Sequence, residues 1–353
     1  MKDELTEILK ELSDVYDSDS SNTFVSLYIN KNTSEKFLDR RIKACKTILK
    51  EDELKNFENT IDGIKEINGD HLAIFASHKN NFQKYILLPM EVDNLLVVDS
   101  SPYIRPLARI HDEYESFTLV LISSNYAKIF SISLGKIDDA KKLSKDIMSK
   151  HKKGGWSQAR FNRIRRGAIH AFLSEVVEEL EKRADEKIIV AGPGIEKNHF
   201  IEMLPKVFKD RIIDVIDINV EDESKLLKQS FNLMFEKEKE RSSEVVQHLK
   251  EEILRDGLAV YGVNETIVAV KNGQVELLII EKNYKPRGWI CEHCQIVEEG
   301  VSKTCPYCGN RTSEVDVLEE ILEFAERTDA KVEFTDDEKI ADLGHVGGIL
   351  RFK

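Results

Sequence analysis

Apolar and polar residues along this chain follow two periodicities, one typical of helices and one typical of strands. Residues 4–16 and much of 32–67 repeat apolar positions at helical spacing. Short β-rich runs lie at residues 23–29, 71–76 and 84–88. The pattern predicts a first α/β or α+β domain over residues 1–114.

The pattern starts again near residue 116 with a pair of strands, residues 117–122 and 127–133. A helical segment at residues 159–183 repeats apolar positions three or four apart, as in a helix with one buried face. These positions are Phe161, Ile164, Ala168, Phe172, Val176 and Leu180. A strand, a Gly-Pro-Gly turn, a helix and a strand follow, at residues 187–191, 192–194, 197–207 and 211–219. Alternating strands and helices predict a parallel or mixed sheet in a central domain, residues 115–238.

A highly charged helix, about residues 222–254, leads into a last predicted domain, residues 239–353. Its predicted elements are a helix, a buried strand, a helix and a strand, at residues 264–271, 275–280, 314–327 and 331–334. This order predicts an α/β/α sandwich with an insertion at residues 290–309. The predicted fold class is therefore mixed α/β (α+β), in three domains.

Four of the five cysteines form two Cys-x-x-Cys pairs, separated by ten residues. They are Cys291, Cys294, Cys305 and Cys308. This spacing predicts one structural Zn²⁺, because four thiolates close a tetrahedral shell and leave no open position for catalysis. His293 lies between the first two cysteines and is predicted to be a bystander, not a ligand.

Composition and charge narrow the classes of protein that the chain can represent. The longest apolar runs, such as residues 277–280, are far shorter than the roughly 20 residues that span a bilayer, and the N-terminus lacks a signal pattern. These features predict a cytoplasmic protein without a membrane partner. The formal net charge of −12 argues against general binding to nucleic acid, so a local basic patch would be informative.

Such a patch lies between residues 150 and 170, which hold seven lysines and arginines and no acidic residue. Cations at the start of a helix oppose its dipole, by about 0.3–1 kcal/mol for each exposed charge. An external polyanion therefore explains the pattern better than helix stability does. Gly154 and Gly155 allow close backbone approach to another molecule. Trp156 suits either stacking on a base or anchoring of the loop.

Residues 154–165, Gly-Gly-Trp-Ser-Gln-Ala-Arg-Phe-Asn-Arg-Ile-Arg, resemble a loop of the eukaryotic and archaeal class I release factors. That loop reads Gly-Gly-Gln-Ser, two further residues, and Arg-Phe-x-Arg-x-Arg. The residues that match at ungapped spacing are Ser157, Arg160, Phe161, Arg163 and Arg165. Trp156 stands where the family has its catalytic glutamine, and Gln158 follows two residues later. A Gly-Gly-x-x-Gln order is similar to the Vms-type ribosome-rescue branch.

The stretches 261–263, 269–270, 275–279 and 347–352, with Gly273, also resemble the last domain of these factors, whose archaeal members contain a comparable zinc module. The resemblance implies a peptidyl-tRNA hydrolase that frees nascent chains from stalled ribosomes or large subunits. It places Gly154, Gly155 and Gln158 at the ester. It implies RNA contacts for Lys150, His151, Lys152, Lys153, Trp156, Arg160, Arg163, Arg165 and Arg166. The implied partners are large-subunit rRNA, peptidyl-tRNA, and a translational GTPase or a recycling ATPase.

Three other functions are compatible with the sequence. The Asn-Ile-Lys-Ser and Tyr-x-Cys motifs with which release factors read stop codons are absent from residues 22–105, so termination at stop codons is a weaker alternative. A non-catalytic, pelota-like factor would use the basic loop only for docking. Cleavage of the tRNA near its 3′ end is the third alternative.

Overall fold

The structure, a computed structural model, describes residues 2–18, 22–31, 33, 35–67, 69–88, 90–148, 156–219, 221–291, 293–294 and 296–353. The chain forms two compact units. We call Asp3–Glu113 together with Glu238–Lys353 the terminal unit, and Tyr114–Lys237 the middle unit. The first and last predicted domains thus lie in one compact unit, and the division into three domains stays a prediction.

The N-terminal part of the terminal unit is a sheet with helices packed against it. Its elements are α1 (Lys2–Ser13), β1 (Phe24–Asn30), α2 (Glu35–Ile48), α3 (Glu51–Ile64), β2 (His71–Ser77), β3 (Phe82–Leu87), β4 (Leu95–Asp99) and α4 (Arg105–Glu113). The strands are antiparallel, in the order β3-β2-β1-β4. Phe57 and Ile61 of α3 are buried against Leu72 and Ile74 of β2. The predicted helices and strands are confirmed here, whereas β4 and α4 were not predicted.

The middle unit contains a mixed five-stranded sheet. Its elements are β5 (Phe117–Ile122), β6 (Tyr126–Ser133), β7 (Lys136–Ser144), α5 (Trp156–Glu181), β8 (Ile188–Ala191), α6 (Glu196–Met203), α7 (Lys206–Lys209), β9 (Ile212–Ile216) and the first half of α8 (Glu223–Leu254). In the order β7-β6-β5-β8-β9, strand β8 pairs in parallel with β5 and β9, and β6 pairs antiparallel with β5 and β7. The mixed sheet is confirmed.

Side chains of β5 alternate between two cores, as a strand covered on both faces requires. Val120 and Ile122 pack in the core that contains α5 and α6, and Leu119 and Leu121 pack in the core that contains α8. Leu226 is among the α8 residues buried there. The sheet therefore has α5 and α6 on one face and α8 on the other.

Two predictions about this unit need correction. Phe161 and Ile164 are 42% and 48% exposed, because the core residues of α5 begin only at Ile169. The helix predicted at residues 197–207 is two helices, α6 and α7. Leu204 has the extended conformation that a residue before proline favours, and Pro205 is then the N-cap of α7.

The Gly-Pro-Gly segment is the predicted turn from strand to helix. At Gly192, a Cβ atom would lie 1.9 Å from the carbonyl oxygen of Ile122, so no side chain fits there. Gly194 has φ of +71°, which favours glycine. The buried Lys197 donates to the carbonyl of Gly194 at 2.9 Å and closes the turn.

The C-terminal part of the terminal unit contains two sheets. Its elements are the second half of α8, β10 (Ala259–Tyr261), α9 (Val263–Lys271), β11 (Val275–Glu281), β12 (Arg287–Cys291), β13 (Ile296–Glu299), β14 (Ser313–Asp316), α10 (Val317–Arg327), β15 (Lys331–Thr335), a 3₁₀ helix (Glu338–Leu343) and β16 (Val346–Leu350). The larger sheet has the order β10-β16-β11-β15, and the smaller has the order β13-β12-β14. The mixed α/β class is confirmed. None of the helices in the described part of the chain has the length and apolar character needed to cross a bilayer.

One helix start differs from its prediction. Residues 314–316 belong to β14 and pair with β12, so the helix predicted from residue 314 begins only at Val317. Asp316 is its N-cap and accepts the backbone N–H of Leu318 at 3.2 Å.

Arg105, at the start of α4, joins the two parts of the terminal unit. Its side chain is buried and forms an ion pair with Asp316 at 3.1 Å. The same guanidinium donates to the carbonyl oxygens of Glu281, Lys282 and Tyr284, at 3.2, 3.2 and 2.6 Å. One N-terminal side chain thereby satisfies four acceptors of the C-terminal part.

Two buried glutamates of α10 make the reciprocal contacts. Glu319 accepts the backbone N–H groups of Ile104 and Arg105, and Glu323 accepts the hydroxyl of Ser101. Burial raises the pKa of both glutamates well above their usual range. These hydrogen bonds connect the loop before α4 to α10.

We expect Arg105→Met to destabilise the terminal unit by about 3 kcal/mol or more, because it leaves Asp316 and three carbonyls without their buried donor. The matched control is Arg109→Met on the same helix, whose side chain is 39% exposed and pairs with Glu113; we expect a loss of at most about 1 kcal/mol. Urea unfolding followed by the fluorescence of Trp289, in a Trp156→Phe background, measures both. Equal losses would contradict the role of Arg105.

Candidate functional site

The predicted ester-hydrolysing loop leads directly into α5. Lys150, His151, Lys152, Lys153, Gly154 and Gly155 lie outside the described residues. Trp156 is the first residue of the 26-residue helix, and Gln158 lies half-buried in its first turn. The first four N–H groups of a helix lack intrahelical acceptors, and the helix dipole favours an anion there. The described part of the loop therefore begins at a helix end that favours negative charge.

The arginines that were predicted to bind RNA lie in the first three turns of α5. Arg160, Arg163 and Arg166 are exposed, and Arg165 is half-buried, with its Nε donating to the carbonyl of Met148 at 3.1 Å. The helix contains no acidic residue before Glu175. Within the described part of the chain, none of the four guanidinium groups pairs with a carboxylate. Their charge is therefore available to another molecule.

Apolar side chains interrupt this basic surface. Phe161 and Ile164, whose burial was wrongly predicted, are partly exposed among the arginines. Lone phosphate contacts need no such residues, whereas unstacked bases bind to apolar and aromatic surfaces. The start of α5 thus combines the two kinds of contact that single-stranded RNA makes.

The four paired cysteines lie together at the smaller sheet of the terminal unit. Their Sγ atoms are 3.4 Å apart for Cys291 and Cys308, 3.6 Å for Cys294 and Cys305, and 3.8 Å for Cys294 and Cys308. These distances exceed a disulfide bond of about 2.05 Å. Four sulfurs placed tetrahedrally about 2.3 Å from one zinc ion would be about 3.8 Å apart. The cluster therefore has the size of a Cys₄ zinc site.

The surroundings of the cysteines also suit a structural ion. Cys291 and Cys305 are buried, and Trp289 packs against them. Burial acts to raise the pKa of Cys291, but hydrogen bonds from the backbone and thiol of Cys294 outweigh it and lower that pKa to about 7. Burial raises the pKa of Cys294 to about 12. His293 is exposed and lies outside the group of ligand atoms.

A second cluster of ionisable groups was not predicted. Asp112 of α4, Glu238 of α8 and Glu333 of β15 bring carboxylate oxygens within 4.8 Å of one another. Arg241 lies beside them, 2.9 Å from Glu238 and 2.8 Å from Glu333. The three acids are far apart in sequence, so no local spacing indicates that they meet.

Burial and crowding change the acidity of this cluster. Burial raises the pKa of Asp112 to about 8, and the negative charge of Glu333 adds to the effect. Burial likewise raises the pKa of Glu333. Asp112 accepts the backbone N–H of Phe334 at 2.7 Å, which holds the carboxyl in place. The folded protein therefore favours a protonated Asp112 near neutral pH.

Comparisons with known proteins concern both units. A family model described as bacterial archaeo-eukaryotic release factor family 10 matches residues 102–232, and a model of eRF1 domain 3 matches residues 239–353. The chain is 29% identical to peptide chain release factor subunit 1 of Methanosphaera stadtmanae, over 72% of this chain and 70% of that protein. It is 26% identical to the protein of the same name from Methanocaldococcus jannaschii, over 87% and 86%.

Among solved structures, that of S. cerevisiae Dom34 is described as a translation termination-like factor involved in RNA quality control pathways and interacting with Hbs1. It is 11% identical, covers 80% of this chain and 79% of its own, and has a TM-score of 0.44. The two family models, by contrast, include α5 and the four cysteines within their matched residues.

The carboxylate cluster predicts a pH dependence for the terminal unit. Folding raises the pKa of Asp112 from 3.8 to about 8. Protonation of Asp112 therefore stabilises the folded state fully below pH 3.8, and this stabilisation is lost as the pH rises through 8. We expect the melting temperature to fall between pH 6 and pH 8, with a contribution from Asp112 of up to about 1.4 kcal/mol per pH unit. Thermal unfolding at several pH values measures it.

Asp112→Asn should flatten this dependence, because an asparagine keeps the acceptor for Phe334 but does not titrate. The matched control is Asp70→Asn in the same unit, whose side chain is 69% exposed and pairs with Lys31. An unchanged slope in Asp112→Asn, or an equal change in the control, would show that Asp112 is not responsible.

Proposed function

Because this chain belongs to the archaeal and eukaryotic release-factor superfamily, we propose that it is a ribosome-associated peptidyl-tRNA hydrolase. It frees nascent chains from stalled ribosomes or isolated large subunits, as the Vms-type rescue branch does. The observation that carries this proposal is the start of α5. There Gln158 lies in the first turn, and it is followed by arginines that pair with no carboxylate among the described residues.

The proposed reaction is hydrolysis of the ester between the peptide and the 3′ end of tRNA. Gln158 and the backbone of Gly154 and Gly155 position a water molecule against the ester carbonyl. As the tetrahedral intermediate forms, its negative oxygen is stabilised by N–H donors and by the positive end of the helix dipole. The ribosomal RNA supplies the remaining polar groups, so no nucleophile and base pair is needed within the chain.

The basic residues hold the loop at this position. Lys150, His151, Lys152 and Lys153 precede the glycines, and Arg160, Arg163, Arg165 and Arg166 follow them. We assign these side chains to phosphates of large-subunit rRNA and of the tRNA, and Trp156 to a base. The ribosome and peptidyl-tRNA are therefore the proposed partners, with a translational GTPase or a recycling ATPase as a further one.

The cysteine cluster has a structural role in this proposal. Cys291, Cys294, Cys305 and Cys308 bind one Zn²⁺, which supplies the cross-link that the small three-stranded sheet requires. A sheet of this size has little core of its own, and Trp289 is its largest buried side chain. Four thiolates leave no open coordination position, so the ion takes no part in hydrolysis.

A second candidate function follows from one substitution. Trp156 occupies the position of the catalytic glutamine of release factors, which favours a factor that docks without cleaving the ester, as pelota-like proteins would. Such a factor would bind large subunits carrying peptidyl-tRNA and leave the ester intact. Gel analysis of the peptidyl-tRNA separates the two functions.

We expect wild-type protein to release peptide from isolated large subunits carrying peptidyl-tRNA, without a stop codon. The double variant Gly155→Ala, Gln158→Ala should release it at least about 10²-fold more slowly, because the variant loses both the amide and the close backbone approach. Gln247→Ala, an exposed glutamine of α8, is the matched control and should be fully active.

Three outcomes of this assay would contradict the proposal. Full activity in the double variant would exclude Gln158 as the positioning amide. Release only from ribosomes paused at stop codons would indicate a termination factor. A released tRNA with a shortened 3′ end, detected by sequencing, would indicate cleavage of the tRNA itself.

The metal proposal has a separate test. We expect protein purified under reducing conditions to contain one zinc ion per chain, and Cys305→Ser to contain well below one, measured by plasma mass spectrometry. Cys45→Ser, a half-buried cysteine outside the cluster, should keep its zinc. Removing zinc with a chelator should also expose Trp289 and change its fluorescence. A metal-free wild-type protein with Trp289 still buried would refute a structural ion.

A further inference from the structure

A cleft of about 530 Å³ lies in the middle unit, between α5 and α6. Its α5 wall continues the surface of the predicted RNA-binding arginines, since Arg165 and Arg166 both line it. Its volume falls in the range of small-molecule sites, about 300–1,000 Å³. The proposed function uses Arg165 and Arg166 but gives no role to the other residues of this cleft.

We propose that the cleft binds one purine nucleotide of a single-stranded RNA segment. The inference rests on the proposed function for the source of the RNA, which would be ribosomal or transfer RNA. A purine nucleotide is proposed because of the side chains in the cleft. Apolar side chains match the faces of the base, arginines match the phosphate, and carboxylates match the edge of the base.

Apolar side chains suit the faces of a base. Ile195 and Met203 line the α6 side of the cleft, and Ile195 is 61% exposed, whereas Ile169 and Leu173 of α5 form the buried floor. A flat aromatic ring covers such a surface better than a small anion or a flexible chain does. A purine has two fused rings and covers more of it than a pyrimidine.

Charged side chains suit the phosphate and the edge of the base. Arg166 is exposed at the cleft, and Arg165 is held there by its hydrogen bond to Met148. Guanidinium groups bind phosphate with paired N–H donors. On the opposite wall, the carboxylates of Glu196 and Glu202 accept hydrogen bonds, as the amino and imino groups of purines require.

This mixture of charges distinguishes the ligand from two alternatives. A lysine-rich peptide would be attracted by Glu196 and Glu202 but repelled by the two arginines. Inorganic phosphate would satisfy the arginines but would leave the carboxylates and the apolar wall without a partner. His170 and His199, one on each wall, add rings that stack on a base or donate to a phosphate.

The test uses the full chain and fluorescent RNA pentamers, with a central guanine or adenine between pyrimidines, or with pyrimidines only. We expect the purine strands to bind more tightly, and Glu202→Gln and His199→Ala each to weaken their binding by about tenfold. Both residues are exposed, so the variants should keep the fold. Glu178→Gln is the matched control, an exposed glutamate of α5 that does not line the cleft.

Competitors distinguish the possible sources of binding. If free GMP or AMP binds as tightly as the pentamer, the cleft is a purine site, but the proposal that its ligand is part of an RNA strand is overturned. Displacement of the pentamer by inorganic phosphate alone, or by a lysine-rich peptide in a manner that depends on Glu202, would overturn the purine site. Equal affinity for purine and pyrimidine strands, or unchanged affinity in both variants, would overturn it as well.

The peptide-release assay is run in parallel with the same variants. We expect Glu202→Gln to raise the protein concentration needed for half-maximal release and to leave the maximal rate unchanged. If wild-type protein releases no peptide but its purine binding still depends on Glu202 and His199, the proposed function fails and the nucleotide site stands. If peptide release is normal and neither variant changes purine binding, the proposed nucleotide site alone is refuted.

Discussion

A guanidinium group buried in a protein needs acceptors around it, and for Arg105 all of them come from residues far along the chain. Its ion pair with Asp316 and its three carbonyl acceptors lie in the C-terminal part, while its own helix, α4, ends the N-terminal part. Glu319 makes the reciprocal contact, because its buried carboxylate accepts hydrogen bonds from backbone N–H groups at the start of α4. The two segments therefore depend on each other for the satisfaction of buried polar groups, and a family match to the last segment alone describes only part of that unit.

The arginines of α5 differ from Arg105 in both burial and pairing. Because Arg105 is buried, it needs a partner from within the chain. By contrast, Arg160, Arg163 and Arg166 are exposed and have no acidic partner in the described part of the chain. In a protein of formal net charge −12, acidic residues are abundant, so their exclusion from the first half of one helix is a property of that helix. The cost of placing cations at a helix start is modest and is offset when a polyanion binds. Affinity for RNA would then be local and would depend strongly on salt, although the whole protein is acidic.

Features that depend on nearby residues could be predicted from the sequence, and features that depend on distant contacts could not. The hairpin of β5 and β6 and the meeting of the two Cys-x-x-Cys segments involve nearby residues, and both are present in the structure. The exposure of Phe161 depends on where the core against α5 begins, and periodicity within one helix does not contain that information. The meeting of Asp112 with Glu333 depends on the packing of a helix against a strand more than two hundred residues later. The sequence likewise shows three segments with their own patterns but not that the first and last form one compact unit.

The position of Gln158 limits how closely the chemistry can follow that of release factors. Positions 156 and 158 both belong to α5, and two residues of a helix correspond to a rotation of about 200° around its axis. The glutamine of this chain therefore cannot replace the family's glutamine by a simple exchange with Trp156, because the two positions face nearly opposite directions. If Gln158 is the positioning amide, as we propose, α5 has to meet the ester from a different direction than a helix with the glutamine at position 156 would. Gly154 and Gly155 provide the backbone freedom for this change, which a loop with side chains at those positions would lack.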